Sequence, residues 1–249
     1  MNCYFEYTRR VDSHDCDSSD LLKPSGFFRY MQEGANLQCQ RAGFGYDDNL
    51  ARGTAFMLSR AALDVYTPLR PYEVISVRTC PANSSGLSFN RCTGIYKDGK
   101  CAAQLTSVWA LVKLSDRSLV RVSESGLTLP TVEMPKTSAP LVLRIGRSAA
   151  FEKVGELHVT YSLCDRNRHM NNTRYPDVLC DFSGDLTGKT AVALSLSYLG
   201  EAPLGETLQV WRAQGETPAG IDGATSLFRI LRESDGRVCC EALITFKSI

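Results

Sequence analysis

The chain has no apolar run long enough to cross a bilayer. Its opening residues, Met1-Asn-Cys-Tyr-Phe-Glu-Tyr-Thr-Arg-Arg10, lack the apolar core of a secretory leader. A soluble cytoplasmic protein with no membrane association is the expectation. No charge of either sign dominates: 28 basic residues face 27 acidic ones, so nothing draws the whole molecule to nucleic acid, and a charged partner has to meet a local patch. Ten cysteines are present, yet none stand in a C-x-x-C pair, which argues for reduced thiols and against a disulfide framework or a zinc site. A glycine-rich phosphate loop, a metal motif and a nucleic-acid signature are all missing, so no cofactor is expected. Histidine is scarce, with three in 249 residues.

One of those three histidines sits in a polar cluster: Asp165, Asn167, His169, Asn171 and Asn172, followed by Tyr175. In an extended segment, alternation puts Asp165, Asn167, His169 and Asn171 on one side. The stretch from Thr173 to Cys180 reads as the start of a helix whose unpaired N–H groups are suited to negative charge. An acid, an amide and an imidazole beside such a terminus suit acyl transfer. His14 lies in a polar stretch and His158 on an alternating strand, and both read as surface or half-buried groups without catalytic work.

The rest of the chain, 43% apolar and 22% charged, is ordinary globular material that repeats itself once. The segments around Asp98-Gly99 and Asp235-Gly236 match at an offset of 137 and read as hairpins on Asp-Gly turns. Leu63 to Val77 matches Leu196 to Val210 at 133, and Cys16 to Phe27 matches Cys164 to Tyr175 at 148. The falling offset means that the second copy has lost about fifteen residues around its helix. In the first copy that helix spans Pro24 to Arg41, with Phe27, Phe28, Met31, Ala35 and Cys39 on one face and Gly34 and Ala35 allowing close approach to a sheet. Prolines 130, 135 and 140 mark a linker. The expectation is α+β: two tandem helix-plus-antiparallel-sheet units, residues 1–129 and 146–249, joined by 130–145.

Core positions agree in kind across the copies: Phe27 with Tyr175, Leu63 with Leu196, Trp109 with Phe246. Most polar positions of the cluster do not. Ser19 stands opposite Asn167, Leu21 opposite His169, Lys23 opposite Asn171, and Pro68 opposite Glu201. Side chains needed only for folding belong in both copies, so the second copy is where function is expected.

The motif Asp165-x-Asn167-x-His169-x-Asn171-Asn172-x-x-Tyr175, then Tyr198-Leu-Gly-Glu201, and in the first half Met31-Gln-Glu-Gly-Ala, Gly43-Phe-Gly and Thr106-Ser-Val-Trp109, resembles the acyl-acyl carrier protein thioesterases, a double hotdog family. The resemblance covers nearly the whole chain. It implies hydrolysis of fatty acyl-acyl carrier protein in fatty acid synthesis and a catalytic set of Asp165, Asn167, His169 and Glu201. A cysteine often follows the glutamate in that family, and here Ala202 does. Asn171, Asn172 and Tyr175 are candidates for substrate contact or, alternatively, for capping and packing the second helix.

On this reading Glu201, through His169, activates water, while Asn167 and the helix-start N–H groups hold the oxyanion. Asp165 orients its neighbours or, in a rival assignment, is itself the base or nucleophile. The acyl carrier protein is the implied partner, met by Arg166, Arg168 and Arg174 unless these form a solvated face. The family covers the fatty tail with its N-terminal half, which puts Phe27, Phe28 and Met31 along the pocket wall. An acyl-coenzyme A thioesterase and a non-catalytic acyl-binding hotdog protein are the alternatives, and the chain is expected as a monomer or homodimer.

Overall fold

The computed structural model describes residues 4–146 and 149–249. The first half runs β1 (Phe5–Arg10), α1 (Pro24–Arg41), α2 (Tyr46–Ala51), β2 (Thr54–Val65), β3 (Val74–Ser85), β4 (Ser88–Lys97), β5 (Lys100–Lys113) and β6 (Leu119–Val120). The second runs β7 (Glu152–His158), α3 (Tyr175–Asp181), β8 (Lys189–Tyr198), β9 (Thr207–Gln214), β10 (Ala224–Arg232) and β11 (Val238–Ser248). Apart from β6, which pairs with β5, the strands lie in the order β1-β3-β4-β5-β2-β8-β11-β10-β9-β7. Read from either edge, equivalent strands of the two copies come in the same sequence, as in a double hotdog.

The halves meet where β2 pairs antiparallel with β8, from Arg60 opposite Ser197 to Asp64 opposite Ala193. Ala62 faces Ser195, and these two are equivalents at the offset of 133, so the local two-fold passes between them. The closed sheet continuity leaves β1 and β7 as the free edges.

Helix α1 forms where proline spacing and the apolar face predict it. Pro24 occupies the first turn, where its missing N–H costs nothing. Phe27, Phe28, Met31 and Ala35 are buried against the sheet. A Cβ on Gly34 would lie 3.0 Å from the Tyr7 ring, so any larger residue there has to push the ring aside. The helix stops at a Schellman turn: Phe44 N–H reaches Cys39 C=O, Gly43 N–H reaches Gln40 C=O, and Gly43 supplies φ +71°. Helix α3 is much shorter, with Pro176 in its first turn, which accounts for the shrinking offset.

The Asp-Gly hairpins differ in detail. Asp98 and Gly99 both take positive φ, the two-residue turn favoured between twisted strands. In the second half only Gly236 does, and the turn is wider, closed by Arg232 N–H on Arg237 C=O at 2.9 Å. The proline-marked connection lies along the sheet face opposite α1. There the buried carboxylate of Asp64 accepts from Ser138 N–H at 2.6 Å and Ala139 N–H at 2.9 Å. Among the described residues no helix is long and apolar enough to cross a membrane.

Candidate active site

The two copies build the same backbone frame around the residue 169 position. In the second half Asp165 N–H donates to His169 C=O at 2.9 Å, Arg168 N–H donates to Asp165 C=O, and Asn167 N–H donates to Asp165 Oδ1 at 2.8 Å. In the first half Asp17 N–H donates to Leu21 C=O at 2.8 Å, Asp20 N–H to Asp17 C=O, and Ser19 N–H to Asp17 Oδ1 at 2.8 Å. Arg168 and Asp20 both adopt left-handed φ, +61° and +56°. The loops beneath agree as well: Met170 N–H meets Ala202 C=O as Leu22 N–H meets Leu69 C=O, each at 2.8 Å.

This frame corrects one expectation. Residues 165–169 are not extended but form a tight turn, closed by the Cys164–Met170 bridge. Asp165, Asn167, His169 and Asn171 therefore do not line one side by strand alternation. An aspartate that accepts the N–H two residues on is a strong turn former, and it overrides the extended preference.

What the turn does is carry His169 to Glu201. Imidazole Nε2 stands 3.6 Å from Glu201 Oε2, within ion-pair reach and outside hydrogen-bond distance. His169 is 30% exposed and Glu201 35%, so water reaches both. Glu201 sits in the loop after β8, fixed by its carbonyl, which accepts from Cys239 Sγ at 3.4 Å and Arg232 Nη1 at 3.5 Å. Its other carboxylate oxygen, Oε1, accepts from Arg117 Nη1 at 2.9 Å.

Asn167 lies at the exposed tip of the turn, where Tyr46 Oη donates to its Oδ1 at 3.0 Å. That bond leaves the Asn167 amide N–H groups to act as donors. Arg166 stacks over the Tyr46 ring at 4.0 Å and pairs with Asp47 at 3.5 Å. Arg174 pairs with Asp177 at 3.8 Å, so two of the three arginines near the motif have acidic neighbours.

A second correction concerns the helix start. The chain enters α3 through a 3-10 turn, Asn172–Arg174, and Asn171 Oδ1 accepts from both Thr173 N–H and Thr173 Oγ1 at 2.9 Å. Arg174 N–H is taken by Asn171 C=O, and Pro176 has none. Two of the N–H groups expected to face an oxyanion there, those of Thr173 and Arg174, are therefore taken by Asn171. Asn172 C=O accepts from Tyr198 Oη at 3.0 Å, and Tyr175 is buried edge-on against Tyr198 at 5.4 Å between centroids. Burial raises both phenols well above their ordinary value. Asn171, Asn172 and Tyr175 thus make capping and packing contacts. His14 and His158 are exposed.

Tyr46, Asp47 and Arg117 come from the first half, and the motif in the second gives no sign of them. Only the geometry joins them to Asn167, Arg166 and Glu201. Two hollows flank the frame. A narrow one of about 20 Å3 lies between α1 and the sheet, lined by Phe28, Met31, Leu58, Leu105 and Trp109, with Arg91 at its side. A wider cleft of about 630 Å3 runs between α1 and the second-half segment holding Cys164, Asn171 and Arg174.

Residues 147–248 match the family model described as the acyl-ACP thioesterase C-terminal domain. The whole chain is similar in fold to a solved acyl-ACP thioesterase from Bacteroides thetaiotaomicron, with TM-score 0.84 and 22% identity over 99% of this chain and 98% of that one. It is similar also to a putative oleoyl thioesterase from Lactobacillus plantarum, at 0.82 and 20% over 99% and 96%. The 12:0-ACP thioesterase from Umbellularia californica gives 0.82 and 15% over 100% and 95%. No curated protein matches the chain in sequence.

Proposed function

We propose that this chain, whose C-terminal half belongs to the acyl-ACP thioesterase C-terminal domain family, hydrolyses fatty acyl-acyl carrier protein to free fatty acid and carrier thiol. The observation that carries this reading is the duplicated frame with unlike side chains. Backbone hydrogen bonds repeat in both halves, whereas His169, Asn167 and Glu201 face Leu21, Ser19 and Pro68. A fold that stands without these groups in one copy has kept them in the other for chemistry.

Glu201 and His169 form the proton-transfer pair. A carboxylate beside an imidazole takes a proton from water near neutral pH, and the hydroxide equivalent adds to the thioester carbonyl carbon. The Asn167 amide donates to the oxyanion that forms, a contact worth about 3 kcal/mol when preorganised. As the tetrahedral intermediate collapses, the C–S bond breaks and the proton passes from the pair to the leaving sulfur. Asp165 positions Asn167 through its Oδ1, the task Asp17 performs for Ser19. Asn171 and Tyr175 hold the start of α3 so that the turn stays in register. The fatty tail is assigned to the first half between α1 and the sheet, where Phe28 and Met31 line the narrow hollow. Cytoplasmic placement, where thiols stay reduced, is part of this reading.

The test is thiol release by the purified protein across a chain-length series of acyl thioesters on carrier protein and on coenzyme A. Turnover with a preference for the carrier-bound series is expected. Binding of either thioester without thiol release contradicts the reading.

A further inference from the structure

Arg117 belongs to the first half, 84 residues from Glu201, and lies in the turn joining β5 to β6. That turn is closed by Lys113 N–H on Ser118 C=O and Arg117 N–H on Lys113 C=O. Arg117 sits at its left-handed corner, with φ +61°, a conformation that a Cβ makes costly and that glycine takes freely. Among the described residues most left-handed positions are glycines, such as Gly53, Gly99 and Gly236. The turn itself would be better served by one. The side chain that stands there instead crosses to the other half and bonds Glu201 Oε1 at 2.9 Å.

The two oxygens of Glu201 are thereby divided. Oε1 goes to the guanidinium and Oε2 faces His169 Nε2 at 3.6 Å. An exposed glutamate side chain samples many rotamers, and a charge-assisted bond to one oxygen fixes which face the other presents. The other charged and titratable groups beside Glu201 act on its backbone. Arg232, itself paired with Asp235, and Cys239 bond its carbonyl, and Arg237 lies next to Gly200. Among the described residues Arg117 is the arginine bonded to the carboxylate.

We propose that Arg117 is a positioning residue, supplied by the half that lacks the chemistry, which holds Glu201 so that its free oxygen addresses His169. This rests on the reading of Glu201 and His169 as the proton-transfer pair. It also gives the first half a part in the reaction beyond covering the tail: the site is complete only when the two copies are docked.

The test compares Arg117→Gly, Arg117→Ala, Arg117→Lys, Glu201→Ala and the Arg117→Ala/Glu201→Ala double variant. Thiol release from acyl carrier protein thioesters and the thermal midpoint are both read. Arg117→Gly relieves the left-handed strain, so its midpoint is expected unchanged or higher, while kcat falls about tenfold or more with KM within about twofold. Arg117→Lys restores most of the rate, and the double variant is no slower than Glu201→Ala alone. If Glu201→Ala abolishes turnover yet the Arg117 variants keep full kcat, or lose only KM for the carrier-bound substrate, the positioning role is overturned and the proton-transfer pair stands. If Glu201→Ala turns over normally, both fall.

Discussion

Leu21 and His169 occupy one position in a duplicated frame: each carbonyl accepts the N–H of the aspartate four residues earlier, Asp17 at 2.8 Å and Asp165 at 2.9 Å. Their backbones do the same work, and their side chains do not. Leu21 is buried in the core of its half, while His169 points to Glu201. Replacing His169 therefore tests chemistry with little risk to the fold. For His169→Ala we expect thiol release to fall 100-fold or more, with unfolding free energy changed by less than about 1 kcal/mol, read by denaturant titration.

The hydroxyl of Tyr46 fixes the Asn167 amide from across the chain. Tyr46→Phe removes that one bond and keeps the ring under Arg166. A fall in kcat of about threefold to tenfold, with no shift in thermal midpoint, is the expected outcome in steady-state assays, on the scale of a neutral hydrogen bond of about 1 kcal/mol.

We expect no cysteine to act as the nucleophile. Burial pushes the Cys239 thiol up to about 11 and raises the Cys240 thiol well above its ordinary value, so both favour the protonated form. Iodoacetamide at pH 8 should leave both unmodified in peptide mass spectra. A Cys164→Ser variant should keep kcat within about threefold.

Asp64 holds the connection between the halves through two backbone N–H groups in a buried setting. Asp64→Ala leaves both donors without their acceptor. A loss of about 2–4 kcal/mol in unfolding free energy is expected by denaturant titration, with kcat unaffected at temperatures where the protein stays folded.

Much of this architecture is legible in the sequence because duplication doubles the signal. The face of Phe27, Phe28, Met31 and Ala35, together with Pro24, delimits α1 at the bounds observed, and the shrinking offset accounts for the short α3. The positions proposed to carry the chemistry stand out because Leu21 and Pro68 lie opposite His169 and Glu201. Alternation misreads residues 165–169, since a side-chain-closed turn has no periodicity to detect. The Thr173 and Arg174 N–H groups look open in sequence because the same asparagine that resembles a substrate contact, Asn171, is the cap that takes both. Tyr46 and Arg117 leave no trace in the motif, because their roles arise only when β2 and β8 bring the two copies together.

The Asp165 carboxylate has a counterpart, Asp17, that makes the same turn where no histidine stands, which separates it from Glu201. An asparagine at 165 keeps the acceptor oxygen that the turn needs and loses the charge. The measurement that tests the account most directly is kcat for thiol release by Asp165→Asn and Glu201→Gln, side by side on one acyl carrier protein thioester. The account predicts that Glu201→Gln loses 100-fold or more while Asp165→Asn stays within about tenfold of the parent. Near-parent turnover in Glu201→Gln, with Asp165→Asn inactive, would contradict it.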